Sequence, residues 1–513
     1  MRKIIAITIV ILIGSNYLDA QKQDYIWLQG YGHGFNPVSG LTFGTTVFDF
    51  NYSPLQVSYD WYQMNFEATN SSICDSDGNL LFYSNGINAR NALKQKIQNS
   101  DSLSPTYMTY VWDPNIATNG DRKAYSIYIL PSISNPSQYY LVHALSDIIN
   151  HNEQTPDSLM GTNVLVSLVD MSANSGHGKV LTKNTAVVTD MLSISIAFTK
   201  HANGRDWWGL VQKLNSSCFY RILCDSFGVH ALPDLTCSGT PLHELNFGAS
   251  SFSTDGGKFI TSDYYTGLKI YDFDRCEGNL SNPLFLPLTN GVDSNWYAYG
   301  LAVSPNSRFL YVSFTYYLYQ LDLWAPDILG SIDTIARFDN TYLPTSTFYH
   351  TSQLAPDGKI YISGGSGDTT YHVIERPDEK GDSCLVKPHS LNLPSVSLGV
   401  PNFPNYRLGA LPGGCGNVSI ADEAALGEKE KILKVYPNPA TNFVVVDYGF
   451  TDWSKGEISL EISNELGQIV AQQHLPMYSG FQKIDVSSFA SGVYHVFIKR
   501  GVQIISTAKF ARA

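Results

Sequence analysis

The chain begins with a basic pair, Arg2 and Lys3, followed by an almost unbroken apolar run from Ile4 to Ile13. After that the pattern changes. Short apolar, β-rich runs alternate with polar turns: Lys258-Phe259-Ile260, Arg308-Phe309-Leu310-Tyr311 and Lys359-Ile360-Tyr361-Ile362 each follow a tight Asp/Asn/Gly turn. The turns start at Ser253, Ser304 and Ala355, equally spaced along the chain, and each is followed by a further strand. Related units occur at His201 to Trp208 and at Cys74 to Tyr83. A period of roughly 40 to 50 residues with several short strands per repeat predicts an all-β fold, a β-propeller of six or seven blades over residues 21–412. One blade cannot bury both its faces, so blades stack around an axis. A string of β-sandwiches would give similar strand content but does not require the even spacing. Tyr25 to Phe50 and Leu391 to Leu411 are the candidates for closing the ring.

The first apolar run is too short to span a bilayer comfortably, and Asp19-Ala20-Gln21 offers a small-residue cleavage point between Ala20 and Gln21. Residues 1–20 therefore read as a signal peptide rather than a membrane anchor. No Cys follows the run, which argues against a lipoprotein. No later segment reaches the ~18 consecutive apolar residues of a transmembrane helix, so no membrane-spanning segment is expected in the mature chain.

Gly413 to Lys431 is Gly-rich and then charged, the composition of a linker. Beyond it, Phe443–Val446, Ile458–Ile462, Gln468–Val470 and Val493–Ile498 predict a small C-terminal Ig-like β-sandwich over residues 432–513.

Export permits disulfides, and seven Cys leave at least one thiol unpaired. Cys218 and Cys224 lie on one predicted strand, roughly 20 Å apart, too far to bridge; either can reach Cys237 on the returning strand. The net charge is −12, with both ends slightly basic, so the acid lies in the middle of the chain. That sign disfavours nucleic acid and anionic membrane surfaces. Charged residues are 15% and aromatics 13%, including 32 Tyr, a composition that suits half-buried strands and wet binding surfaces.

The search for chemistry gives no catalytic, cofactor-binding or metal-binding assignment. Asp75-Ser76-Asp77-Gly78-Asn79 begins like a calcium loop, but Gly86 stands where a twelfth-position Glu is needed, and a hairpin turn explains the Asp-Gly. Ser253-Thr254-Asp255-Gly256-Gly257 matches the start of the Asp-box of sialidase-like propellers, with Ile260 where an aromatic belongs and no repeat of the box at Ser304 or Ala355. His201, His243 and His350 stand beside predicted inner strands without a ligand partner in sequence, as expected of hydrogen-bonded core histidines. Neither HExxH, GxSxG nor a phosphate loop occurs in its required context. Aromatic clusters at Asp263-Tyr264-Tyr265, Asn295 to Tyr299, Tyr316-Tyr317 with Tyr319 and Trp324, and Trp207-Trp208 suit sugar faces or protein contacts. They equally suit packing between blades, which is the expectation here.

Two resemblances add to this. Tyr436-Pro437-Asn438-Pro439, then Gly467, then Gly492-Val493-Tyr494 and Lys509 before the end, resemble the type A C-terminal sorting domain of the bacterial type IX secretion system, over Ile432 to Ala513. The resemblance implies export through the periplasm and across the outer membrane, with the translocon and a sortase as partners, removal of the domain, and frequent attachment of the product to surface lipopolysaccharide. Separately, Asp75 to Gly86, Ser137 to Val142, Val169 to Asn184, His201 to Trp208 and Gly399 to Gly409 resemble a propeller family common in secreted proteins of Bacteroidota. That likeness implies architecture and location only. The expected function is a secreted or cell-surface binding scaffold for a polysaccharide or a protein. An alternative is a propeller enzyme acting on extracellular glycans or peptides, and a third is a structural surface component.

Overall fold

Each polar turn of the repeat closes a β-hairpin, and its side chains do the closing. In the computed structural model Ser253 Oγ donates to Asp255 Oδ1 (2.6 Å) and accepts from the Lys258 amide (2.9 Å), while Asp255 Oδ1 also accepts from the Gly257 amide (2.9 Å). The same bonds recur one repeat on, with Asn306 in place of the aspartate: Ser304 Oγ to Asn306 Oδ1 is 2.7 Å, and the Phe309 amide reaches Ser304 Oγ at 2.8 Å. The Asp-box geometry is thus repeated although its letters are not, because either side-chain oxygen satisfies the turn's amides. At the earlier turn the Asp75 carboxylate accepts from the amides of Asp77 and Asn79 (3.0 and 2.8 Å), and Gly78 takes φ +89°. This is turn chemistry, not a cation cage.

The structure describes residues 21–512 apart from 67, 113–119, 122, 150–157, 242–247, 264–266, 288–297, 413, 416–431, 450–457, 465–467, 476–478 and 501–502. It forms two units, Met1–Gly416 and Asn417–Ala513. Among the described residues the first unit contains seven antiparallel sheets, taken in chain order, and one separate hairpin, Gly34–Asn36 with Leu41–Phe43. Their first strands are Ile26–Gln29, Ser71–Cys74, Ile127–Pro131, Ala197–Lys200, Ser250–Phe252, Ala298–Val303 and Ser352–Leu354. Most successive first strands touch, those of the third to seventh sheets line one shared cavity, and together they give the propeller arrangement. Aromatic rings fill the wedges between sheets. Trp27 stacks on Phe403 (5.8 Å between centroids) and Phe48 on Tyr371 (5.5 Å). Burial of each such side chain contributes ~1.5–3 kcal/mol.

The closure corrects one expectation. Strands from the two chain ends do not share a sheet: the first sheet is built from residues 26–60 and the last from residues 352–397. Side chains join them instead. Thr46 Oγ1 and Ser395 Oγ are 2.8 Å apart, and Arg407 makes a two-pronged ion pair with Asp24 (2.5 and 2.9 Å).

Cys218 is bonded to Cys237, its register partner, and Cys276 to Cys415 across 139 residues. Cys415 comes from the stretch expected to be linker. The thiols of Cys74, Cys224 and Cys384 are free and buried.

The second unit stacks a three-stranded sheet (Ile432–Tyr436, Phe443–Gly449, Ser479–Asp485) on a four-stranded one (Ile458–Ser463, Ile469–Leu475, Gly492–Arg500, Gln503–Arg512). Val444, Val446, Leu460, Ile462, Val496 and Ile498 alternate inward from both sheets into one core.

Candidate functional site

The chain's own C-terminal segment packs against the inner strands of the ring. Residues 399–411 are held at nearly every step. Asn402 Nδ2 donates to the Ile127 carbonyl (2.7 Å), Asn405 Nδ2 to that of Thr254 (2.8 Å), and Tyr406 Oη to that of Ile129 (2.6 Å). Arg275, almost fully buried, spreads its guanidinium over the carbonyls of Lys200, His201, Asp255 and Gly409, at 2.6 to 3.2 Å. The next residue, Cys276, carries the disulfide to Cys415.

The space left beside this segment is a cavity of about 70 Å³, lined by Tyr125, Tyr128, Phe198, serines and threonines of the inner strands, Asn402 and Asn405. Its charged lining residues are Asp24 and Arg407, which neutralise each other. Among the described residues that line it there is no further acid, base or cation.

A second cavity, about 230 Å³, opens at the opposite end of the inner strands, between the sixth and seventh sheets. Tyr299 enters it at the start of a first strand, His350 just before the next one, and Thr315 and Gly364-Gly365-Ser366 from the turns between second and third strands; Phe348 completes the lining. The Tyr299 and His350 rings lie 4.3 Å apart. Burial pushes the His350 imidazole down to about 4, so it is neutral at pH 7. The two glycines let the backbone close in: a Cβ on Gly365 would stand 2.4 Å from His350 Cγ, and one on Gly364 1.8 Å from Asp368 Oδ2. Asp368, 1% exposed, accepts from Thr345 Oγ1 (2.6 Å), and burial raises its carboxyl to about 6.

An aromatic shelf adjoins this cavity. Tyr316 packs on Phe348 (5.0 Å) and Phe338 (5.9 Å), and Phe338 on Tyr342 (6.0 Å); Tyr316 and Tyr342 are 39% and 59% exposed. The loop carrying Tyr342 is tied down by His389 to Asp339 (3.0 Å).

The aromatic clusters singled out in the sequence thus divide. Trp207 and Trp208 are core: Trp207 meets Tyr406 edge-on, and Trp208 Nε1 donates to the Arg275 carbonyl. Tyr316 and Trp324 are exposed. Tyr264, Tyr265 and Asn295 to Tyr297 lie outside the described residues, as does His243. His201 is hydrogen-bonded through both ring nitrogens, to the Cys276 carbonyl and the Asn203 amide. Thr315 and the two glycines carried no sequence signal; a Gly-Gly between strands reads only as a turn. Among the described residues there is no group of three or more potential metal ligands.

In the second unit Tyr436, Pro437, Asn438 and Pro439 form an exposed run at the end of the first strand. Asn438 Oδ1 accepts from the Ala511 amide (2.8 Å), which brings the first motif beside the last strand. Tyr494 is buried, stacked on Phe510 (5.4 Å), with its hydroxyl donating to the Ala490 carbonyl (2.8 Å). Gly492 opens its strand, and Lys509 is exposed two residues before Ala511. Gly467 and Ala20 lie outside the described residues, and Gln21 is the first residue described.

Residues 434–511 match the family described as the secretion system C-terminal sorting domain. In fold the chain is similar to a candidate 6-phosphogluconolactonase from Bacteroides uniformis (11% identity, 74% of this chain and 98% of the other, TM-score 0.39). It is also similar to the periplasmic gluconolactonase of Pseudomonas aeruginosa (12%, 72% and 98%, TM-score 0.39) and to the β-propeller domain of Cps50 (Swd1) from Myceliophteria thermophila (10%, 74% and 95%, TM-score 0.31). The comparison with curated proteins found no match. The sorting domain marks the chain for the type IX route, across the outer membrane to the cell surface or the medium. Among the described residues no helix is long and apolar enough to cross a membrane.

Proposed function

We propose that this chain, delivered outside the cell by its sorting domain, is a propeller that binds rather than transforms its ligand, a polysaccharide or a surface protein. The observation that carries the reading is how little room the C-terminal segment leaves beside the inner strands among the described residues. A central catalytic funnel needs room for substrate and uncompensated acid or base groups. Here the chain's own C-terminal segment leaves about 70 Å³, and the carboxylate and guanidinium beside it are spent on each other. That space is several times smaller than the pockets of ~300 Å³ or more that drug-sized ligands occupy. Exposed rings at Tyr316, Trp324 and Tyr342 supply contact area of the kind that binding surfaces use.

The sorting role falls on the exposed Tyr436–Pro439 run, Gly467, Gly492, Tyr494 and Lys509, with the translocon and a sortase as partners. Cleavage by the signal peptidase falls between Ala20 and Gln21.

The test is a screen of the purified mature protein, disulfides intact, against a glycan array and against outer-surface proteins, with turnover followed on every glycan or peptide offered. Binding without turnover is expected. Turnover that Asp24→Asn or Asp368→Asn abolishes would overturn the reading in favour of an enzyme.

A further inference from the structure

We propose that the cavity between the sixth and seventh sheets holds one neutral sugar ring, the terminal residue of a glycan. This rests on the binding reading above and adds to it a site and a ligand class.

Three features of the cavity point the same way, and a fourth lies just behind its wall. Its volume, about 230 Å³, accommodates a single ring but not a chain, so an oligosaccharide would enter by its end. Among the described residues no charged side chain lines it, which leaves a charged ligand without a counter-ion and favours a neutral one. Phe348 and Tyr299 give it aromatic walls, and Tyr316 extends them outward as a shelf, the surface on which the C–H face of a pyranose packs.

The fourth feature is unmet hydrogen bonding. Thr315 Oγ1 and His350 Nδ1 are shielded from water and have no hydrogen-bond partner. A buried polar group is destabilising while it stays unsatisfied. Both belong to cavity-lining side chains, and a neutral imidazole and a hydroxyl are groups that can donate or accept. A sugar hydroxyl does both as well, so after a small side-chain adjustment it completes either one. An apolar ligand would leave both unmet.

The cavity is also built, not incidental. Gly364 and Gly365 are held where a side chain cannot fit, and the shelf is anchored by His389 to Asp339 and by Thr345 to Asp368.

The experiment is calorimetric titration of the mature protein with the methyl glycosides of glucose, galactose, mannose, N-acetylglucosamine and fucose, together with the glycan array. One glycoside is expected to bind, and arrayed glycans ending in that sugar are expected to bind in preference. Thr315→Val keeps the shape and the β-branch while removing the hydroxyl, and is expected to weaken binding about tenfold. Ser366→Trp, on an exposed turn, is expected to fill the mouth and abolish binding; unchanged circular dichroism and melting would show that both variants are folded. Glycan binding that both folded variants leave intact would overturn the site while sparing the binding function. Binding of a surface protein but of no sugar would overturn the ligand class. Turnover lost on a single carboxylate substitution would instead overturn the binding reading itself.

Discussion

Arg275 gives the sharpest test of how the ring is held. Its guanidinium makes four hydrogen bonds to backbone carbonyls, from two sheets and from the returning C-terminal segment, while only 4% of the residue is exposed. Hydrogen bonds to a charged group are worth ~1.5–3 kcal/mol each, and a buried carbonyl left unpaired costs ~1–3 kcal/mol. Some of the four carbonyls keep a second partner, and the contributions overlap. Arg275→Met, which preserves most of the volume, should therefore cost about 4 kcal/mol rather than the full sum. With an unfolding entropy of ~2.1 cal/mol/K per residue over roughly 400 residues, the melting midpoint should fall by about 5 °C. Arg221 is the control. It donates to the carbonyls of Asp234 and Glu277 and to Asn279 Oδ1 in exposed positions, where water replaces it, so Arg221→Met should cost under ~1 kcal/mol. Urea denaturation and scanning calorimetry read the difference. Limited trypsin digestion reads the location, because loss of the Gly409 contact should expose the bond after Arg407. An Arg275→Met protein with an unchanged midpoint and an unchanged digest would refute the reasoning.

Three further outcomes are expected. Cys415→Ser opens the closed loop to Cys276 and should lower unfolding stability by ~3 kcal/mol, measured by urea titration against the wild type with and without reductant. Asp368 has a carboxyl raised by burial from its ordinary range to about 6, so its contribution is fully present below about pH 4 and is lost as pH rises through about 6. Asp368→Asn should abolish that loss, leaving the variant on the order of 2 kcal/mol more stable than wild type at pH 7 and no more stable at pH 4, as melts across that range would show. Tyr494→Ala removes a ring stacked on Phe510 and should cost ~3–5 kcal/mol in the sorting domain and stop export, whereas Tyr494→Phe loses one hydrogen bond to Ala490 and should be exported, as cell-surface and medium fractions would report.

What the sequence determined by itself is local or positional. The turns at Asp75, Ser253 and Ser304 were legible because an Asx or Ser side chain satisfies its own turn's amides. The C-terminal end was legible as a targeting segment because an ordered set of motifs there needs no knowledge of the fold. That Cys218 cannot reach Cys224 followed from strand rise alone.

Tertiary structure decided what lies far apart in the chain and which side of a strand meets solvent. Nothing near Asp24 foretells Arg407, and nothing near Cys276 foretells Cys415, since ring closure brings each pair together. Trp207 and Trp208 are adjacent yet both buried, because stacked sheets cover both faces of a strand and erase the in-out alternation. Second strands such as Trp207–Gln212 and Phe309–Phe314 are buried along their whole length, and exposure falls to the turns and the outer strands such as Asp333–Arg337. That is why Tyr316, in the turn between the second and third strands, stays at the surface, and why the cavity it adjoins, built from four separate turns and strand ends, left no pattern in the sequence.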